Sequence, residues 1–212
     1  MFFDFFKISD DLLLGDCKDF LGKASIGYAV TVMSLLEASD FIIQKKILSA
    51  HEHYDFLDLE GNKLGEADGS IVQVPPKFQV KDAHGLELMH LQGKTLSLHR
   101  EFTVYGQGGE ELATIKKKVA TFGGQEYWVE KDGQEFMRIY GDFTNHEYQM
   151  ETAGQTVVAV HRKWVSMRDQ MGVSITGNVD QRVAIGAVIV IEHVEVSQSH
   201  SSGGAFDANI RF

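Results

Sequence analysis

The chain has 212 residues, 43% of them apolar and 24% charged, which is typical of one globular domain with a substantial core. Its formal net charge of −10 disfavours nucleic acid as a partner and weakens general attraction to anionic lipid. The single cysteine, Cys17, excludes an internal disulfide framework and is compatible with a reducing compartment.

Residues 1–32 precede the regular part of the chain. The start lacks a basic segment, and acidic residues interrupt its apolar run, so it is a poor signal peptide and we expect a cytoplasmic protein. Two interpretations are open: a partly disordered extension, or a segment that docks on the rest of the chain or on a second copy. The docking interpretation rests on seven large apolar residues, Phe2, Phe3, Phe5, Phe6, Leu12, Leu13 and Leu14.

A sequence repeat organises the next part of the chain. An aromatic residue opens each of five units, and a glycine follows six or seven residues later, with spacings of 24, 24, 24 and 21 residues between successive glycines. A fixed period of this length indicates one supersecondary unit used repeatedly. The aromatic residues are Tyr54, Phe78, Phe102, Tyr127 and Tyr148, and the glycines are Gly61, Gly85, Gly109, Gly133 and Gly154.

Each unit is predicted to be a β-hairpin. The residues before the glycine alternate in polarity, as in Phe102-Thr103-Val104, with the period of a half-buried strand. Polar clusters such as Lys131-Asp132-Gly133 supply the positive φ angles that tight turns require. Pro75 and Pro76 cannot donate to a strand ladder, so they mark a connection between the first two units.

Twelve strands are predicted in all: one before the hairpins, ten within them, and one near residues 172–176. An open sheet of this length would accumulate twist and expose its edges. We therefore predict a mainly β fold, a closed antiparallel β-barrel of about 12 strands built as a meander of hairpins. Such a barrel encloses more space than the side chains of its wall fill, so it requires a plug.

The candidate plug is the most apolar stretch of the chain, VAIGAVIVI at residues 183–191. Asn178 is placed to cap a helix there, and Gln181 stands at the reciprocal capping position. Because valine and isoleucine favour strands, a thirteenth strand is the slightly stronger interpretation from the pattern alone. A membrane span is disfavoured, since the uncharged run is far shorter than the ~20 residues that cross a bilayer.

Several short segments occur in a characteristic order over roughly residues 35–196. They are FIIQKKI at 41–47, GNK at 61–63, ATIKKK at 113–118, YGDF at 140–143, NHEY at 145–148 and VHRKW at 160–164. This order resembles the tubby-like, LURP-one-related family, which shares its fold with phospholipid scramblases. The resemblance implies a barrel domain over residues 33–196 around a central hydrophobic helix at about 179–195. The Ser-, His- and Gly-rich residues 197–212 are then predicted to be a flexible polar tail.

The candidate anion- or lipid-binding residues lie in two basic clusters, Lys116, Lys117 and Lys118, and Arg162 and Lys163. Lys117 and Arg162 stand eight residues after a repeat glycine, where the other units carry glycine, and a regular strand would direct them to the apolar side of the wall. Two interpretations are open: a structural role, at the rim or paired with a carboxylate such as Glu192, or an anion contact at the barrel mouth. The tubby branch of the family binds phosphoinositide headgroups, but its binding motif has no residue-by-residue match here.

No catalytic constellation is recognisable in the sequence. It lacks the nucleophile-elbow, Walker and dinucleotide-binding motifs. His51 and His53 lie on one strand face as a possible metal half-site, but solvated histidines are the favoured interpretation because no second pair has a suitable spacing. We therefore expect a protein that is not an enzyme and that has no cofactor and no metal site.

Two functional hypotheses follow. The leading one is a non-enzymatic tubby-like binding or scaffold module that self-assembles, or binds a protein partner, through residues 1–32. The alternative, which comes from the resemblance, is a cytoplasmic protein peripheral to the membrane that binds phospholipid or phosphoinositide headgroups. Neither hypothesis includes nucleic acid or a transmembrane segment.

Overall fold

A computed structural model describes residues 34–48, 51–70, 73–94, 100–118, 126–162 and 170–202. The predictions for residues 1–32, for Lys163 and for the last ten residues of the tail lie outside this part of the chain. The described elements are twelve strands and one helix. They are β1 (Asp40–Leu48), β2 (His51–Leu57), β3 (Lys63–Ser70), β4 (Lys77–Asp82), β5 (Glu87–Gly93), β6 (Arg100–Gly106), β7 (Glu111–Lys118), β8 (Glu126–Lys131), β9 (Gln134–Asp142), β10 (Glu147–Thr152), β11 (Gln155–His161), β12 (Gln170–Ile175) and α1 (Gln181–Ser202).

The strands form a closed barrel in which each strand pairs antiparallel with its neighbours in the chain, and β12 closes the ring on β1. This confirms the predicted fold class and the meander of hairpins. The barrel has two different ends. The hairpin end carries the five tight turns, where the repeat glycines adopt φ angles between 76° and 90°. The loop end carries the connections that follow the odd-numbered strands up to β11.

The apolar segment at residues 183–191 is helical and buried throughout, which decides between the two interpretations of its sequence. The twelve strands already close on themselves and leave no edge for a thirteenth, so the strand interpretation is wrong. The helix begins two residues later than predicted and ends seven residues later. Its cap is Asp180 rather than Asn178, because Asp180 Oδ1 accepts a hydrogen bond from the backbone N–H of Arg182 at 3.0 Å. No helix in the described ranges is long and apolar enough to cross a membrane.

The repeat has a packing explanation that the sequence did not reveal. Each repeat aromatic lies opposite either a glycine or a lysine of the preceding strand. The pairs are Lys45–Tyr54, Gly69–Phe78, Gly93–Phe102, Lys117–Tyr127 and Gly141–Tyr148. A glycine leaves room for the ring to lie over the neighbouring backbone, as is known for aromatic–glycine pairs in curved sheets.

The closeness of these pairs is clearest at Gly69. A Cβ atom there would lie 2.1 Å from Cε1 of Phe78, so the ring excludes any side chain. Where lysine replaces glycine, its Nζ atom lies 5.1 Å from the centre of the aromatic ring, as at Tyr54 and Tyr127. The strand register is regular at these glycines and shifts at the hairpin end, for example between Phe56 and Leu57.

Candidate functional site

The four predicted basic residues that the structure describes lie at the loop end, but they differ in accessibility. Lys116 faces outwards, and its Nζ atom lies 2.6 Å from Glu130 Oε2. Lys118 is exposed, and its Nζ atom lies 3.4 Å from Glu126. Arg162 directly follows β11 and is half-buried.

Lys117 points into the barrel. Its side chain is 6% exposed, and its Nζ atom lies 2.8 Å from Glu195 Oε1 on α1. The same oxygen accepts a hydrogen bond of 2.5 Å from the Tyr127 hydroxyl. Burial lowers the pKa of Lys117 more than Glu195 raises it. The inward direction agrees with the regular strand pattern, but the carboxylate is Glu195 rather than Glu192, one helical turn further along.

A second group of buried charges joins α1 to β1 and β2. His193 Nδ1 lies 2.8 Å from Glu52 Oε2, and Lys45 Nζ lies 3.3 Å from Glu52 Oε1. Burial alone would raise the pKa of Glu52, but the hydrogen bond from His193 and the charge of Lys45 outweigh it, so the pKa is lowered. Glu52 is therefore an ionised carboxylate inside the barrel, and it holds the helix to the wall.

Glu192 makes a third contact between α1 and the wall. Its Oε1 atom lies 2.9 Å from His146 Nδ1 and 3.3 Å from the Tyr148 hydroxyl. Its Oε2 atom is buried and has no hydrogen-bond partner among the described residues. Burial, and then the charge of Glu192, raise the pKa of Tyr148, so its hydroxyl stays protonated and donates.

We refer to these residues together as the inner polar cluster. It comprises Lys45, Glu52, Tyr54, Lys117, Tyr127, His146, Tyr148, Glu192, His193 and Glu195. The ion pairs neutralise charge in a low-dielectric interior, which is the usual condition for keeping ionised groups there. Ion pairs and hydrogen bonds therefore hold the part of α1 from Glu192 to Glu195 at the loop end, whereas apolar packing holds the preceding part of the helix.

A separate charged group lies on the outer face of β2 and β3. His53, Asp55 and Glu66 each offer an atom within 4.8 Å of the others, as ligands of a metal ion would. However, Lys46 Nζ lies 2.6 Å and Lys63 Nζ 2.8 Å from the Asp55 carboxylate oxygens. The ammonium groups of Lys46 and Lys63 therefore lie beside Asp55, where a metal ion would have to bind. The group that includes His53 contains Asp55 and Glu66, and His51 is not part of it.

A pocket of about 290 Å³ opens at the loop end between the connection before β4, the end of β5, the start of β6, and α1. Phe102, His193 and Val194 are buried at its base, and Pro76 and Arg100 lie at its sides. Sequence analysis did not single out Arg100 because it stands alone rather than in a basic cluster. Its only signal is its position at the start of a strand, next to the repeat aromatic Phe102.

Comparison with known proteins agrees with this architecture. The family model described as LURP-one-related matches residues 39–192. The chain belongs to this family. An uncharacterised Bacillus subtilis protein, YxjI, is 22% identical over 155 residues, which cover 73% of this chain and 93% of YxjI. The X-ray structure of the Arabidopsis thaliana protein AT5G01750 has a TM-score of 0.52 and 18% identity, over 74% of this chain and 91% of that one, and shows a similar fold.

Charge is distributed unevenly over this LURP-one-related barrel. The tight turns at the hairpin end carry Asp58, Glu60, Glu110 and Asp132 but no lysine or arginine. The basic residues concentrate at the loop end instead: Lys45, Lys46, Lys77, Lys94, Arg100, Lys116, Lys117, Lys118 and Arg162. Many of these basic side chains pair with carboxylates at the same end, such as Lys45 with Glu52, Lys94 with Glu101 and Lys118 with Glu126. The loop end is therefore close to balanced in charge, whereas the described tight turns of the hairpin end are acidic.

Proposed function

We propose that this LURP-one-related domain is a non-enzymatic binding module whose loop end engages anionic phospholipid headgroups. The observation that carries the proposal is the separation of charge between the two barrel ends. An anionic surface would repel the acidic hairpin end more strongly than the loop end, so approach would be oriented even though the net charge is −10. The basic residues contribute this attraction as a group, without a preformed headgroup motif.

The accessible lysines are the groups that support contact with a surface. Lys77 is exposed at the start of β4, and the side chain of Lys118 is 61% exposed at the end of β7. Lys117 has a structural role, because it is buried against Glu195. Each basic residue near an anionic membrane contributes about 1 kcal/mol, so a few exposed lysines give weak, salt-sensitive binding.

Flotation of the full chain with vesicles tests this proposal. The wild type should float with phosphatidylcholine vesicles that contain phosphoinositide or phosphatidylserine at low salt, and not with phosphatidylcholine alone. A loop-end double variant, Lys77→Glu with Lys118→Glu, should bind roughly tenfold more weakly or worse. The matched control, Lys81→Glu with Lys131→Glu, makes the same charge change near the hairpin end and should bind as the wild type does.

Two results would overturn the membrane proposal. One is the absence of wild-type binding to any anionic vesicle at low salt. The other is equal loss of binding in both double variants, because that would reflect net charge rather than a particular end of the barrel.

Self-assembly through residues 1–32 is a second candidate function. It is supported by the concentration of phenylalanine and leucine in this segment, since so much apolar surface normally finds a partner. Static light scattering of the full chain and of a variant without residues 1–32 tests it. The deletion should lower the molar mass of the assembly, and an unchanged mass would refute self-assembly by this route.

A further inference from the structure

The pocket at the loop end between the connection before β4, the ends of β5 and β6, and α1 has the composition of a small-ligand site. Part of its base is apolar, because Phe102 and Val194 are buried there. One wall is the Val74–Pro76 connection, where Val74 is 75% exposed. Rigid apolar walls with a few polar groups are typical of sites for small organic molecules.

Arg100 supplies a positive charge at this pocket. Its guanidinium donates a hydrogen bond from Nη1 to Ser197 Oγ at 2.9 Å, and it forms no ion pair with a described carboxylate. This distinguishes it from Lys94, the other basic residue of the pocket, whose Nζ atom lies 3.2 Å from Glu101. A guanidinium without an acidic partner beside a pocket suits an oxyanion, which it can bind through two parallel hydrogen bonds.

His193 supplies a second polar group at the base of the pocket. It is 9% exposed, and its ring lies between Phe78 and Phe102 at centre-to-centre distances of 5.0 and 5.6 Å. Because Glu52 accepts a hydrogen bond from Nδ1–H, the neutral tautomer that fits this contact carries its acceptor at Nε2. Nε2 forms no hydrogen bond within the described residues, so it is available to a ligand hydroxyl.

From these features we propose that the pocket binds a small organic oxyanion that carries a neighbouring hydroxyl group and a compact apolar body. Arg100 binds the oxyanion, His193 Nε2 accepts from the hydroxyl, and Pro76 and Phe102 contact the apolar body. A hydroxy acid with an aromatic or branched side chain has this chemistry. The proposal is independent of membrane binding, because the ligand is soluble and the site differs from the exposed lysines.

Titration of the full chain with three related probes tests the assignment, with NMR of the histidine side chains as the readout. Mandelate carries all three features, mandelamide lacks the charge, and phenylacetate lacks the hydroxyl. Mandelate should bind with a dissociation constant on the order of 1 mM and should shift the His193 resonances but not those of His84, which lies in an exposed turn. Each of the other probes should bind roughly tenfold more weakly.

Arginine variants distinguish mandelate binding in the pocket from a general effect of protein charge on affinity. Arg100→Gln should weaken mandelate binding about tenfold or more, whereas Arg138→Gln removes an exposed arginine on β9 and should leave the affinity unchanged. Arg100→Lys keeps the charge without the planar fork and should retain part of the affinity. Thermal unfolding of the variants confirms that each one is folded.

The proposal is overturned if mandelate shows no saturable binding, if mandelamide binds equally well, or if Arg100→Gln binds as the wild type does. Equal binding of phenylacetate and mandelate would refute the role of His193 as the hydroxyl acceptor.

Discussion

The buried Lys117–Glu195 pair offers a quantitative test of how the central helix is held. The Lys117 and Glu195 side chains are only 6% and 13% exposed, and Lys117 has a lowered pKa because burial outweighs its attraction to Glu195. The pair is therefore expected to contribute little relative to a well-packed apolar pair, although losing one member leaves the other charge buried. A double-mutant cycle separates the net contribution of the pair from the cost of leaving one charge buried alone.

We expect Glu195→Leu to destabilise the protein by about 3 kcal/mol, because it removes the carboxylate 2.8 Å from the buried ammonium of Lys117. Lys117→Met should cost less, about 1–3 kcal/mol, because Glu195 keeps its hydrogen bond from Tyr127. The double variant should be clearly more stable than the sum of the two single losses predicts, since no buried charge is left uncompensated. It should still lie about 1–3 kcal/mol below the wild type, because the buried Tyr127 hydroxyl loses its acceptor. Urea unfolding followed by circular dichroism gives the free energies of unfolding.

A surface pair provides the control for this cycle. Lys118 and Glu126 lie 3.4 Å apart on neighbouring strands, with side chains 61% and 42% exposed, so their coupling should be below about 1 kcal/mol. If the double variant of Lys117 and Glu195 lost the sum of the two single effects, the charges would not be coupled. The account of the inner polar cluster as compensated buried charge would then be refuted.

Three further predictions concern the wall of the barrel. Gly69→Ala should destabilise the barrel by about 2–3 kcal/mol in urea unfolding, because the added Cβ would meet the Phe78 ring, and an unaffected midpoint would refute the packing account of the repeat. Asp55 has a strongly lowered pKa, because its hydrogen bonds from Lys46, Lys63 and His53 outweigh burial. The stabilisation by Asp55 should therefore be complete above pH 3.8, its pKa in the unfolded chain, and be lost as the pH falls towards its folded pKa. Asp55→Asn should remove this loss of stability at acid pH. An unchanged loss in the variant would contradict the assignment to Asp55. Burial alone would lower the pKa of His53, but Asp68 and Asp55 raise it above 6.5, so its contribution should be complete below pH 6.5 and be lost as the pH rises through its folded pKa. Thermal melts of His53→Gln should lack this decline, and a variant that retained it would show that another group is responsible.

The inner polar cluster helps to distinguish a structural role from an anion-binding role for the basic residues of the repeat. Lys45 and Lys117 occupy equivalent places, each opposite a repeat aromatic, and each meets a carboxylate inside the barrel. Glycine at the same place in other units leaves room for rings instead. The residue at this repeat position therefore determines whether a lysine or an aromatic ring fills the space inside the wall, and the burial of Lys117 against Glu195 favours its structural interpretation.

Local features of the chain were sufficient to predict the hairpins and the closure of the barrel. Strand alternation and turn glycines act over a few residues, and the repeat period adds that neighbouring strands are consecutive in the chain. Closure then follows from sheet twist and unpaired edges, without knowledge of any distant contact. The apolar segment at 183–191 is a contrast, because its composition favours a strand and only the resemblance to the family implies a central helix.

The tertiary structure decided which distant residues meet at the loop end. Glu195 lies 78 residues from Lys117 in the chain, and His193 lies 141 residues from Glu52. Such contacts depend on how the helix is rotated inside the barrel and on the stagger of the strands around it, and neither is encoded by local periodicity. The pocket beside Arg100 has the same origin, because its walls come from two strands, a connection and the helix that only folding brings together.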